Sequence, residues 1–280
     1  MDRKVVLITG CSSGIGKALS IAFHNNGNRV VATARRLDSI DDLKSKGIAV
    51  ERLDVTRQDD VERVVHAVLE REGRIDCLVN NAGFGLIAPL LDVPPGEMLN
   101  QFQTNVFGPI QLIRAVAPAM RRNGGGTIIN IGSISGIVST PFAGAYCASK
   151  AALNSLSDAL RLELAPFGIR VVCIQPGGIE SNFGNASSTS VQRVMKPESW
   201  YASIREYVNK RAQESQSNPM PADDLAKKIV SIVASKHPPA IFRTGTKSFM
   251  LPFLKAILPT AMMDSVFIKR FGLHKISSTS

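Results

Sequence analysis

The chain has 280 residues, 44% hydrophobic and 20% charged, a globular composition with enough apolar material for one large α/β domain. Its histidines (His24, His66, His237, His274) and cysteines (Cys11, Cys77, Cys147, Cys173) are dispersed, without zinc-type spacing or a C-x-x-C pair; no metal site is expected, and the thiols read as reduced. The net charge of +10 raises nucleic acid as a partner, but the excess falls in the tail, where Lys236, Arg243, Lys247, Lys255, Lys269, Arg270 and Lys275 stand against Asp264 among large apolar residues; that mixture suits a membrane surface or an anionic amphiphile better.

The first predicted element is a strand. Val5, Val6, Leu7 and Ile8 form a continuous apolar run, as in a parallel strand buried on both faces. Gly10, Gly14 and Gly16 follow, and then Ile15, Leu19, Ala22 and Phe23 recur at helical spacing. Glycines between a strand and a helix let a phosphate approach the helix N-terminus, where unpaired N–H groups and the dipole favour an anion. A tight βα turn without a ligand is the alternative. The chain enters this strand almost at once, with no apolar leader, so a cytoplasmic protein is expected.

The spacing Thr9-Gly10-x-x-x-Gly14-Ile15-Gly16 resembles the short-chain dehydrogenase/reductase family. The resemblance implies that Gly10, Ser12, Ser13, Gly14, Ile15 and Gly16 hold a dinucleotide. The second strand, Arg29 to Ala34, ends at Arg35 and Arg36. An acid there would hydrogen-bond the ribose 2′-OH of NAD. Family members that prefer NAD carry Asp where this chain has Ala34, and guanidinium groups pair well with a 2′-phosphate, so NADP(H) is expected. Two simply solvated arginines are the alternative. After a third strand, Ile48 to Leu53, the resemblance places Asp54 and Val55 at the adenine. A surface helix spans Asp59 to Glu72. A fourth strand, Ile75 to Val79, leads into Asn80-Asn81-Ala82-Gly83, the second family motif, where small residues let the chain pass the adenosine side.

Pro94 to Arg121 reads as a long helical stretch with breaks. Asn105, followed by Gly108 and Pro109, is costly inside a helix, which marks a kink or a functional position. The resemblance assigns Asn105 a water in a proton relay. A fifth strand, Ile128 to Ile131, runs into Ser133. Tyr146 and Lys150 then share one face of a helix that continues to about Ala165. A free tyrosine titrates near pH ~10, and a nearby ammonium is expected to lower that value toward the range useful for acid–base work. Ser133 is placed to donate a hydrogen bond to a substrate oxygen. The family roles are Tyr146 as proton donor, Lys150 as ribose contact and pKa tuner, Ser133 as polariser. A sixth strand, Val171 to Ile174, ends at Pro176, Gly177 and Ile179, which the resemblance sets beside the nicotinamide. Ser181 replaces a frequent family Thr and keeps the hydroxyl for the carboxamide.

Alternation of strand and helix predicts an α/β fold, a Rossmann-like doubly wound parallel sheet forming a single domain with a C-terminal helical lid. The expected division is a catalytic domain over 1–246, its lid at about 182–221, and a basic amphipathic extension over 247–280. Trp200, Tyr201 and Tyr207 are expected on a lid helix over a hydrophobic substrate. Phe249 to Phe271 reads as two short amphipathic helices that cover the cleft or dip into a bilayer face, because Pro252, Lys255, Pro259 and Asp264 break any clean span. The expected protein is a cytoplasmic, membrane-touching NADP(H) oxidoreductase for a lipid-, steroid- or retinoid-like alcohol or carbonyl, with no nucleic-acid partner. It is expected to be a homodimer or homotetramer through Ala152, Leu156, Ala159 and Leu160. A polar or sugar-like substrate, or an NADP-binding sensor without turnover, are the alternatives.

Overall fold

A computed structural model describes residues 3–276. Seven parallel strands form one sheet in the order β3-β2-β1-β4-β5-β6-β7. They are β1 (Val5–Ile8), β2 (Arg29–Ala34), β3 (Ala49–Arg52), β4 (Cys77–Asn80), β5 (Gly126–Ile131), β6 (Ile169–Pro176) and β7 (Ile241–Thr244). The order reverses between β1 and β4, and a ligand crevice opens at such a switch point beyond the C-terminal ends of the strands.

The period of two along β1 explains the layers. Val6 and Ile8 face one side, where α1 (Gly14–Asn25) contributes Leu19 and Phe23 and α9 (Ala222–Ala234) contributes Leu225, Ile229 and Val233. Val5 and Leu7 face the other, against Val61, Val64, Val65 and Val68 of α3 (Gln58–Glu72) and Leu112, Val116 and Met120 of α5 (Gly108–Arg122). The one helix with no counterpart in the sequence reading is the short α2 (Asp41–Lys44). All four cysteines are buried and free, as expected.

The break expected around Asn105 is a π turn. α4 (Pro95–Phe102) passes into Gln103–Phe107, which widens the backbone before α5 begins. The catalytic helix α6 runs Gly144–Leu164. The stretch read as a lid, about 182–221, holds α7 (Phe183–Val194) and α8 (Arg205–Gln213). Two corrections apply to its aromatic cover. Trp200 is 79% exposed in a turn and covers nothing. Tyr201 and Tyr207 are half-buried, but they pack into a cluster with Ile87, Phe142, Val208 and Phe271.

The tail does form two helices, α10 (Met250–Ile257) and α11 (Thr260–Arg270). They differ in burial. No residue of α10 is buried, whereas Phe271, just past α11, is 4% exposed and packs edge-on against Phe142 at 6.4 Å. Phe271 thereby packs the tail against the cluster of Ile87, Phe142, Tyr201 and Tyr207. No helix among the described residues is long and apolar enough to cross a membrane.

Candidate active site

The glycine turn is held from both sides. Gly14 has φ +52, and a Cβ there would lie 2.7 Å from the Ser181 Cβ. A Cβ at Gly16 would come within 2.3 Å of the Gly10 carbonyl oxygen, so only glycine lets α1 start this close to β1. Ser12 and Ser13 are exposed, the Ser13 side chain makes no cap hydrogen bond, and the first turn of α1 carries no acid. The helix N-terminus is thus open and electrostatically suited to a pyrophosphate. Ile15 is half-buried behind it against the core.

Asn81, Ala82 and Gly83 form the opposite wall. The Asn81 amide donates to the carbonyls of Thr9 at 2.8 Å and Gly10 at 3.0 Å, while the Asn81 and Ala82 N–H groups both donate to Thr9 Oγ1 at 3.0 Å. The Asn81 side chain therefore shapes the glycine turn, and Gly83, which is exposed, borders the crevice. At the adenosine end Arg35 and Arg36 are exposed. Arg36 pairs with Asp38 at 3.3 Å, while Arg35 has no ionic partner among the described residues. One Asp54 carboxylate oxygen accepts from the Thr56 N–H and hydroxyl, and Val55 is buried against Gly108. At the far end Pro176 and Ile179 are buried. Ile179 inserts its side chain into the core beside α9, so the expected nicotinamide contact falls to its main chain, and Gly177 lies against the Thr246 carbonyl. Ser181 is half-buried beside the glycine turn, its hydroxyl donating to the Ile179 carbonyl and accepting from the Phe183 N–H, each at 3.3 Å.

Ser133, Tyr146 and Lys150, the residues expected to be catalytic, lie together. Lys150 Nζ donates to the Ile131 carbonyl at 2.7 Å and lies 6.0 Å from the Tyr146 ring centre. Ser133, 6% exposed, lies close enough to the Tyr146 hydroxyl to lower its pKa, and its Oγ accepts from the Ser135 N–H at 3.0 Å. The electrostatics correct one expectation. Burial pushes the Tyr146 phenol up to about 12, and the nearby Ser133 offsets only part of that. Burial also pulls Lys150 down to about 8. In the protein alone, desolvation outweighs the expected help from the ammonium, so Tyr146 is a phenol at neutral pH.

Asn105 is committed. Its Oδ1 accepts from the Phe84 N–H, and its Nδ2 donates to the Phe84 carbonyl and to Ser149 Oγ, each at 3.1 Å. Ser149 in turn donates to the Tyr146 carbonyl at 2.8 Å. The side chain thus clasps the loop after β4 to α6 with both amide protons, while its Oδ1, accepting one bond, keeps a second lone pair. Three supports were invisible in the sequence. Gln101 and Asn154 hold the backbones of Leu86 and Ser133, and Phe183 sets its ring 5.2 Å from that of Tyr146. A Cβ at Gly85 would meet the Phe183 ring at 2.2 Å, a close approach that glycine allows.

An open switch-point crevice with buried Ser133 and Lys150 beside a half-buried Tyr146 is the arrangement of a dinucleotide-dependent oxidoreductase of the α/β class. The comparisons agree: residues 4–192 match the family model for short chain dehydrogenases, and the chain belongs to that family. It is 36% identical to the 3-ketodihydrosphingosine reductase of Bacteroides thetaiotaomicron, over 94% of this chain and 96% of that one. It is 31% identical to the NADPH-dependent 1-acyldihydroxyacetone phosphate reductase of Saccharomyces cerevisiae, over 99% and 94%. The crystal structure of a short-chain dehydrogenase from Streptomyces avermitilis superposes with a TM-score of 0.79 at 32% identity, covering 98% of both chains.

Proposed function

We propose that this oxidoreductase uses NADP(H) to interconvert a secondary alcohol and a carbonyl on an apolar substrate, with Tyr146 as the proton donor. The observation that carries this reading is the grouping of the half-buried Tyr146 with Ser133 beside its hydroxyl and the Lys150 ammonium 6.0 Å from its ring centre. The dinucleotide supplies the hydride when bound. The chain's own residues do the rest. Burial keeps the Tyr146 proton in place at neutral pH, ready for transfer to a substrate oxygen. Ser135 donates to the Ser133 oxygen, which leaves the Ser133 O–H to donate toward that same substrate oxygen. Lys150, with its value near 8, is still largely charged at pH 7 and stabilises the phenolate as it forms. The Phe183 ring, 5.2 Å from that of Tyr146, gives the reacting centre an apolar neighbour, which suits an apolar substrate. The test is a carbonyl panel of steroids, retinoids and acyl ketones followed by NADPH absorbance. NADPH binding with no turnover across the panel would leave a sensor.

The choice of NADP(H) rests on Ala34 and the unpaired Arg35. Arg35→Ala is expected to weaken NADPH roughly ten- to a hundredfold, the worth of one charge-assisted hydrogen bond, and to leave NADH nearly unchanged. Equal losses for both cofactors in a fluorescence titration would remove the 2′-phosphate contact.

A specific observation favours a second feature, a peripheral membrane contact. Phe249, Phe253 and Ile257 recur every four residues and are 64%, 62% and 56% exposed, so one face of α10 is apolar and uncovered. Lys255 and Lys269 lie on the same tail. Co-sedimentation with phosphatidylserine vesicles is expected for the full chain, weakened by salt and by the double change Phe249→Ser and Phe253→Ser. Equal sedimentation of the two proteins would assign the face another role. Leu162 and Phe167, 65% and 40% exposed at the end of α6, leave an apolar surface for the homodimer or homotetramer.

A further inference from the structure

Arg211 of α8 is a buried charge that the chemistry described so far does not use. It is 8% exposed, its Nε donates to Thr140 Oγ1 at 2.9 Å, and no carboxylate lies within 4.0 Å of its guanidinium among the described residues. The nearby acid is already taken: Glu214 accepts from Lys247 at 2.8 Å and also binds Arg270. The other neighbours within electrostatic range are Tyr146 and Cys147, and burial holds both in their neutral forms. A buried guanidinium with one neutral hydrogen-bond partner is unstable relative to one with a counter-charge. Loss of solvation depresses its proton affinity accordingly.

The surroundings show where a counter-charge would come from. Thr140 sits in the loop between Ser133 and Tyr146. It also lines a cleft of about 360 Å³ whose other walls are Ser139, Pro141, Asp264, Phe267, Ile268 and Leu273. Through Thr140 the Arg211 cation thus adjoins a cleft that is apolar apart from Ser139, Thr140 and Asp264, and it also lies within electrostatic range of Tyr146.

We propose that Arg211 recognises the substrate's headgroup and that the substrate is an anionic amphiphile, carrying an oxyanion (a phosphate monoester or a carboxylate) a few bonds from the reacting carbonyl. This rests on the reading of Tyr146 as proton donor. A planar guanidinium takes such an oxyanion through paired N–H···O bonds, and the alkyl chain follows the apolar cleft. An ammonium headgroup meets a like charge in the same place and is disfavoured.

Matched substrates that differ in charge test this on the full chain with NADPH. One pair is an acyl dihydroxyacetone phosphate and its dephosphorylated form; the other is a γ-keto fatty acid and its methyl ester; a long-chain amino ketone completes the set. The anionic member of at least one pair is expected to have the higher kcat/KM by roughly ten- to a hundredfold, mostly through KM. The pair with the larger ratio identifies the oxyanion. Arg211→Met is expected to erase that preference while neutral ketones keep their rates, and Arg211→Lys to retain part of it. Equal treatment of both pairs by the unaltered protein, or a preference that survives Arg211→Met, overturns the proposal. If no ketone turns over, the oxidoreductase reading fails separately. Calorimetry with dodecyl phosphate and dodecanoate then decides, because binding to neither, or binding unchanged in a cooperatively melting Arg211→Met protein, also rejects the headgroup site.

Discussion

Replacing Tyr146 with Phe is expected to lower kcat on the order of 10²–10⁴-fold, the usual contribution of a positioned general acid, with NADPH affinity changed by less than about twofold. The argument is local. The change removes one oxygen and leaves the ring that packs on Phe183 at 5.2 Å. The Lys150 bond to the Ile131 carbonyl and the Asn105 clasp onto Ser149 involve no Tyr146 side-chain atom, so α6 stays in place. No side-chain hydrogen bond of Tyr146 is lost among the described residues, so the change is too small to unfold a domain of this size. Single-turnover kinetics with a carbonyl found in the panel measure the chemical step directly. A Phe variant that retains activity within tenfold would move the proton-donor role to another group.

Much of this site was legible in the sequence because its parts depend on local chemistry. The apolar run of β1, the glycines before α1 and the four-residue spacing of Tyr146 and Lys150 each follow from one element, and the order of elements brings them to one sheet edge. Asn105 was visible through the conflict between its type and a helix, and the structure shows that conflict as a π turn. What escaped depends on long-range packing. Phe183 and Arg211 sit on lid helices whose seating is decided by Gly85 and Thr140, roughly 100 and 70 residues earlier in the chain. Nothing in the local pattern around Arg211 marks it as buried, since Lys210 beside it is exposed. The same reason explains Trp200. An aromatic residue predicts burial on average, and the turn that holds this one faces solvent. The sign of the Tyr146 shift was missed because spacing reports a neighbouring charge but not the depth of burial.

That depth makes a second prediction, on stability. Lys150→Met is expected to change how folding depends on pH. Burial lowers the Lys150 value from 10.5 to about 8. Below pH 8 the lysine is charged in both folded and unfolded chains, so its burial penalty is constant. Between about pH 8 and pH 10.5 the unfolded chain holds the proton that the folded chain has released. Stability therefore rises with pH across that window in the unaltered protein. The total gain relative to the methionine variant is on the order of 3 kcal/mol, from a shift of about two and a half units. Other groups titrate there as well, but they are common to both proteins and cancel in the difference. The variant leaves the Ile131 carbonyl without its donor, a loss that also offsets the gain from removing a buried charge but does not vary with pH. Urea unfolding of both proteins at pH 7 and pH 10 gives the comparison. A stability gap that is the same at both pH values would show that Lys150 is not held near 8. A gap that shifts toward the unaltered protein at high pH would show that the fold tolerates a costly charge at neutral pH, where Tyr146 needs an ammonium beside it as it gives up its proton.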